Sequence, residues 1–173
     1  MPTASTGGSA KGSKPRSGAK TSASASKTAD AIKLLREDHR EVKTWFKQYE
    51  KLENESEKED LAQKICAALT VHAKIEEEIF YPALRRNIDD EELLDEAEVE
   101  HASAKQLIAE IRSMSPQDHL FDAKVKVLGE YVLHHVQEEE QEIFPEARKS
   151  EVDLDALGQK LSKRKAELMK KAA

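Results

Sequence analysis

Four stretches of this chain carry apolar residues at steps of three and four, and histidine or glutamate interrupts every one of these stripes. The spacing is that of an amphipathic helix with one buried face. The first stripe is Ile32, Leu35, His39, Val42, Phe46 and Tyr49. The second is Leu61, Ile65, Leu69, His72, Glu76, Ile79 or Phe80, and Ala83. Leu94, Ala97, His101, Ala104, Ile108 and Ile111 form the third, and Leu128, Tyr131, His135, Glu139 and Ile143 the fourth. The chain must therefore pack four helices around a core that also accommodates ionisable side chains.

The links between the stripes are short: Glu53 to Glu57, Asn87 to Asp90, and Ser115-Pro116, a capping residue before a proline suited to a first helical turn. Short links make successive helices antiparallel. The scarcity of Gly, Pro and aromatic residues also disfavours a sheet, which needs frequent turns. The predicted fold is all-α, an antiparallel up-down-up-down four-helix bundle over residues 28–149. Residues 150–173 read as an extra amphipathic helix through Leu154, Leu157, Leu161 and Leu168, which packs outside the bundle or self-associates with another copy.

Residues 1–27 are Ser, Ala, Gly and Lys with no large apolar side chain after Met1, so they cannot offset the entropy of ordering and are predicted to be a disordered tail. This tail holds Lys11, Lys14, Arg16, Lys20 and Lys27 and no acid; the net charge of −6 thus leaves −11 on the remainder. An acidic body argues against binding nucleic acid or an anionic membrane, apart from weak contacts through the tail. Cys66 is the single cysteine, which excludes an intrachain disulfide and thiolate clusters, and its place in an apolar stripe reads as core packing. No apolar run approaches the roughly 20 residues of a membrane span, nor does the start of the chain have the apolar centre of a secretory signal. A soluble cytoplasmic protein is expected.

His39, His72, Glu76, His101, His135 and Glu139 stand where core residues belong. In an antiparallel hairpin two residues are level when the midpoint of their numbers falls in the turn. The midpoints of 39 with 72, 72 with 101, and 101 with 135 are 55.5, 86.5 and 118, each in or beside a predicted link. All four histidines are therefore expected in one layer. Glu76 and Glu139 follow His72 and His135 by four residues, on the same face one turn away. Leaving six such groups unpaired, at about 1 to 3 kcal/mol each, would consume most of the roughly 5 to 15 kcal/mol that stabilises a domain. Four imidazoles and two carboxylates are a ligand set for one or two ions such as iron, manganese or zinc. Two carboxylates able to bridge favour a pair.

Other ionisable and aromatic residues read differently. His134 also precedes a glutamate by four, but the ten-residue step from His135 to Pro145, matching that from His72 to Pro82, selects His135. His119 lies far from the layer in a turn. Trp45 and Phe46 read as core, and Tyr131 as core or as a hydrogen-bond partner to a ligand. The remaining members of Glu76-Glu77-Glu78 and Glu138-Glu139-Glu140 read as a solvated face, with a role in orienting histidines as the other reading.

The unit His72-Ala-Lys-Ile-Glu-Glu-Glu-Ile-Phe-Tyr-Pro82 aligns without gaps on His135-Val-Gln-Glu-Glu-Glu-Gln-Glu-Ile-Phe-Pro145, and His39 and His101 precede these units by 33 and 34 residues. With Glu100-His101 in the third helix, this pattern resembles the haemerythrin-like, HHE cation-binding family across roughly residues 30 to 147. The resemblance implies two non-haem irons bridged by Glu76, Glu139 and a solvent oxygen, with terminal imidazoles from His39, His72, His101 and His135. Oxygen-carrying members offer two histidines four apart on the third helix, whereas Ala97 and Lys105 flank His101 here. Four histidines rather than five leave coordination positions open. The resemblance thus implies reaction with oxygen, peroxide or nitric oxide, including peroxide-decomposing or oxidase-type activity, with an iron or oxygen sensor or iron store as the alternative.

Overall fold

The computed structural model describes residues 30–172, and every element among them is helical. The basic tail expected to be disordered lies outside the described residues. Helix α1 runs Ala31–Tyr49 and α2 runs Glu55–Ile75. A π-helical turn, π1, Glu76–Phe80, continues α2 into the short α3, Tyr81–Leu84. Helix α4 spans Glu92–Arg112 and α5 Phe121–Glu138; π2, Glu139–Ile143, leads into α6, Phe144–Lys149, and α7 is Leu154–Ala172. The bundle is thus α1, α2 with π1 and α3, α4, and α5 with π2 and α6.

Local chemistry sets several boundaries. Asp30 caps α1 by accepting from the Lys33 N–H at 2.8 Å, and Asn54 caps α2 through the Glu57 N–H at 3.0 Å. Ser115-Pro116 does not start the fourth helix, contrary to its sequence reading. Asp118 accepts from the Ser115 N–H at 2.8 Å and holds these residues in a turn, and α5 begins at Phe121. An aspartate side chain that accepts from a nearby backbone N–H competes with helix here.

The core is divided by the ionisable layer. On one side Val42, Phe46, Ile65, Leu69, Ile108 and Val132 pack with their neighbours; on the other lie Ile32, Leu35, Ile75, Phe80, Leu94 and Phe144. Cys66 is fully buried among the first group, and burial pushes its thiol up to about 11 despite the opposing charge of Arg112. Helix α7 completes the second group with Leu157 and Leu161, packed against α1, α2 and π1. Its apolar face, expected to contact the bundle or another copy, is covered by this chain's own helices.

Tyr131 departs from its predicted stripe: it is 51% exposed, while Val132 is buried. The Phe46 ring lies so close to Gly129 that a Cβ there would come within 3.1 Å. This approach turns Gly129, Val125, Val132 and Val136 inward, and Tyr131, about 200° round the helix from Gly129, faces out. No helix among the described residues is long and apolar enough to cross a membrane.

Candidate metal centre

The six residues picked out by their positions meet in the bundle. Their imidazoles form two pairs: His39 Nε2 lies 3.2 Å from His72 Nε2, and His101 Nε2 lies 3.0 Å from His135 Nε2. Each central glutamate reaches from one pair to the other. Glu76 places Oε1 3.1 Å from His72 Nε2 and Oε2 3.4 Å from His101 Nε2. Glu139 Oε2 lies 3.2 Å from His39 Nε2 and 3.6 Å from His135 Nε2.

Both carboxylates are 0% exposed, yet Glu76 Oε1, Glu76 Oε2 and Glu139 Oε2 have no hydrogen-bond partner among the described residues. The four Nε2 atoms and these carboxylate oxygens face a common interior. One cluster of mutually adjacent ligand atoms comes from His39, His72, Glu76 and Glu139, and a second from Glu76, His101 and His135. Buried polar oxygens of this kind are costly unless something satisfies them, and a transition-metal cation suits an imidazole and carboxylate set. The residues present fit a metal.

Each imidazole turns its Nε2 inward because an acid takes its Nδ1 proton. His39 Nδ1 donates to Glu140 at 3.0 Å, His72 to Asp38 at 3.3 Å, His101 to Glu77 at 3.0 Å and His135 to Glu100 at 2.7 Å. A carboxylate can only accept when ionised, so these contacts fix the tautomer and leave Nε2 free to ligate. The acids are themselves braced: Asp38 by Lys165 of α7, Glu77 by Lys105 at 2.6 Å, Glu140 by Lys43 at 3.6 Å, and Glu100 by His134 at 3.6 Å. Every supporting acid is the chain neighbour of a central residue: Asp38 of His39, Glu77 of Glu76, Glu100 of His101 and Glu140 of Glu139.

The two π turns begin at the central glutamates. Tyr81 and Phe144 donate their N–H groups to Glu76 O and Glu139 O, five residues back. Pro82 and Pro145 follow immediately, and each lacks an N–H and would crowd the carbonyl four residues earlier in a regular helix; a widened turn relieves both problems. The turns deliver equivalent aromatic rings to the site. Phe144 stacks on His39 with centroids 5.7 Å apart, and Tyr81 lies 5.6 Å from His101. The two rings differ by one oxygen atom, for the Tyr81 hydroxyl donates to Glu139 Oε1 at 2.8 Å whereas Phe144 offers nothing to Glu76.

The electrostatics follow from burial and charge together. Burial pushes Glu76 toward its neutral form, but His72 and His101 outweigh that and hold it well below the usual carboxylate range. Burial likewise disfavours the His72 cation, and the charge of Glu76 with the Asp38 hydrogen bond raises it nonetheless to about 10. His135 is raised in the same way by Glu139 and Glu100. Burial and then the charges of Glu139 and Glu76 lift Tyr81 well above its ordinary range, so it remains a donor at neutral pH.

A cavity of about 40 Å³, walled mainly by Val42, Leu69, Ala104, Ile108 and Val132, opens onto all four histidines. Tyr131 lines it, but from the half-exposed rim, and makes no hydrogen bond to a ligand residue. The tyrosine that touches the cluster is Tyr81. His134 is 65% exposed, and His119 is exposed. Of the glutamates read as a solvated face, Glu78 pairs outside the bundle with Arg164 of α7, whereas Glu77 and Glu140 hold His101 and His39. Sequence reasoning missed Tyr81 and the supporting roles of Asp38 and Glu100; for the two acids, their place beside a central histidine was the available signal.

Residues 30–147 match the family described as "Hemerythrin HHE cation binding domain". The fold is similar to the crystal structure of a hemerythrin HHE cation binding domain-containing protein from Mycobacterium kansasii, with TM-score 0.73, 20% identity, and coverage of 83% of this chain and 89% of that one. Over 118 residues the chain is 30% identical to a Nostoc sp. protein named DNA nickase. That match takes in 66% of this chain and 32% of the relative, so the chain spans about a third of the length of the curated protein it resembles.

Proposed function

This chain belongs to the haemerythrin HHE cation-binding family, and from that premise we propose that it holds two iron ions and reacts with oxygen, peroxide or nitric oxide. One observation carries the reading: each buried carboxylate spans the two histidine pairs with oxygens that no hydrogen bond satisfies. A carboxylate so placed suits an ion beside each pair. His39 and His72 would serve one position, His101 and His135 the other, and Glu76 and Glu139 both.

Bound iron would supply redox chemistry and Lewis acidity. The chain's own residues do the rest. The Nδ1 acceptors hold the four rings in register, and the Tyr81 hydroxyl donates a hydrogen bond to one oxygen of Glu139. The apolar walls of the 40 Å³ cavity admit a small neutral molecule and exclude a hydrated ion.

The test is elemental analysis after anaerobic ferrous loading, followed by visible spectroscopy during exposure to oxygen, peroxide and nitric oxide. About two irons per chain and a spectral response to one of these molecules are expected, both lost in Glu76→Ala. Iron that binds but answers to none of the three would overturn the reactive reading. A sensor is the second reading, favoured by the link from His72 through Asp38 to Lys165 on α7. It requires α7 protection from hydrogen exchange to change on metal binding.

A further inference from the structure

Three of the four acids that orient the histidines are braced by lysine. Glu100 is different: its Oε2 accepts from buried His135 Nδ1 at 2.7 Å, while its Oε1 faces the exposed His134 at 3.6 Å. His134 Nε2 also lies 3.2 Å from Glu138 Oε1, and ligand atoms of Glu100, His134 and Glu138 are mutually adjacent. Glu100 therefore belongs to the central cluster by one oxygen and to the surface by the other.

Two adjoining cavities continue this arrangement inward and outward. The outer crevice is lined by Glu92, Glu96, Glu100, His134 and Glu138. The inner one, about 40 Å³, shares Glu96, Glu100 and Glu138 with it and extends past Glu142 to His135 and Glu139. Among the described residues no lysine or arginine lines either cavity. At the inner end stands Glu139, fully buried, with Oε2 unpartnered. The mainly apolar cavity among Leu69, Ile108 and Val132 reaches the histidines from another side and meets the acidic path only at Glu100 and His135.

We propose that Glu100, His134 and Glu138 form a transient site for divalent transition-metal cations, and that the acidic path behind it loads the central cluster. The inference rests on the reading that the central cluster binds metal. A hydrated dication cannot cross an apolar wall without losing its water uncompensated. Along the acidic path carboxylate and imidazole replace water stepwise, a ligand set suited to such ions. Glu138 and Glu139 are consecutive, one at the mouth and one at the centre, so the last transfer advances one residue along the helix. The apolar cavity is left for the small neutral molecule.

The test mixes the full-length, chelator-stripped chain with cobalt(II) anaerobically in a stopped-flow instrument, reading the visible absorption that develops as nitrogen and carboxylate ligands replace water. His134→Ala and Glu138→Gln are made singly and together, with Glu53→Gln, which removes the same one formal charge, as the control at the far end of the bundle. The paired mouth variant is expected to load about tenfold more slowly, the scale of electrostatic focusing in a charged cleft. Its final cobalt stoichiometry and metal-free melting temperature should equal those of the unaltered chain, and the control should stay within about twofold. His134→Ala alone removes an exposed side chain and its 3.6 Å contact with Glu100, leaves the Glu100 bond to His135 in place, and should show part of the slowing. Equal loading rates in every variant, or equal slowing in the control, would overturn the route while leaving the central cluster intact. An unaltered chain that takes up no cobalt would overturn the central reading and the route with it.

Discussion

Tyr81→Phe removes one oxygen atom from the protein and isolates what that oxygen does. The ring is buried and stays beside His101, and phenylalanine already occupies the equivalent place in the other half as Phe144. What disappears is a 2.8 Å donation to Glu139 Oε1. A hydrogen bond to a charged group contributes about 1.5 to 3 kcal/mol. Because Glu139 Oε2 already lacks a partner, the loss leaves a buried carboxylate with none, which places the metal-free cost near the top of that range, about 2 to 3 kcal/mol. At about 2 to 4 °C per kcal/mol for a chain of this size, the melting temperature should fall by roughly 5 to 10 °C. In the iron-loaded protein a cation compensates Glu139, and the loss should shrink to about 1 kcal/mol or less. Thermal unfolding followed by circular dichroism, with and without iron, measures both numbers. Equal losses in the two forms, or a metal-free loss below about 0.5 kcal/mol, would refute the reasoning and reduce Tyr81 to packing.

Further outcomes follow from the same cluster. Asp38→Asn weakens the acceptor that fixes His72, and metal affinity measured by equilibrium titration should fall by about 10- to 100-fold with the fold retained. The pH dependence should reverse sign with metal. In the metal-free chain His72 is raised from its ordinary 6.5 to about 10, so its contribution is full below pH 6.5 and is lost as pH rises through 10. Bound metal competes with those protons, so the metal-induced rise in melting temperature should grow from pH 6 to pH 8, and a rise that shrinks over that range would contradict the assignment. Leu161→Ala cuts a fully buried contact of α7 and should destabilise the chain by about 2 to 5 kcal/mol in chemical denaturation; a loss under about 1 kcal/mol would mean α7 contributes little to the folded domain.

The sequence by itself determined the four helices, their antiparallel order and the meeting of six ionisable residues. Each of these depends only on period, short links and the constant rise of a helix. His39 and His72 are level because the turn between them is short, whatever the side chains around them do. The prolines and the ten-residue steps were legible as a repeat, but the π turns before them and the direction in which π1 and π2 turn Tyr81 and Phe144 were not read from the pattern. Only the tertiary structure decided which tyrosine approaches the cluster. Tyr81 and Tyr131 both lie one to two turns from a residue of the cluster, and the close approach of Phe46 to Gly129 set the rotation that turns Tyr131 outward. The same holds for the acids: Glu77 and Glu140 look like members of a solvated run until the facing helix brings a histidine Nδ1 to them. The fit of α7 against α1 and α2 was likewise undecided, because an amphipathic helix states that it needs an apolar partner without stating which. Periodicity is a property of one helix at a time, whereas rotation, support and docking depend on the surfaces that the other helices present.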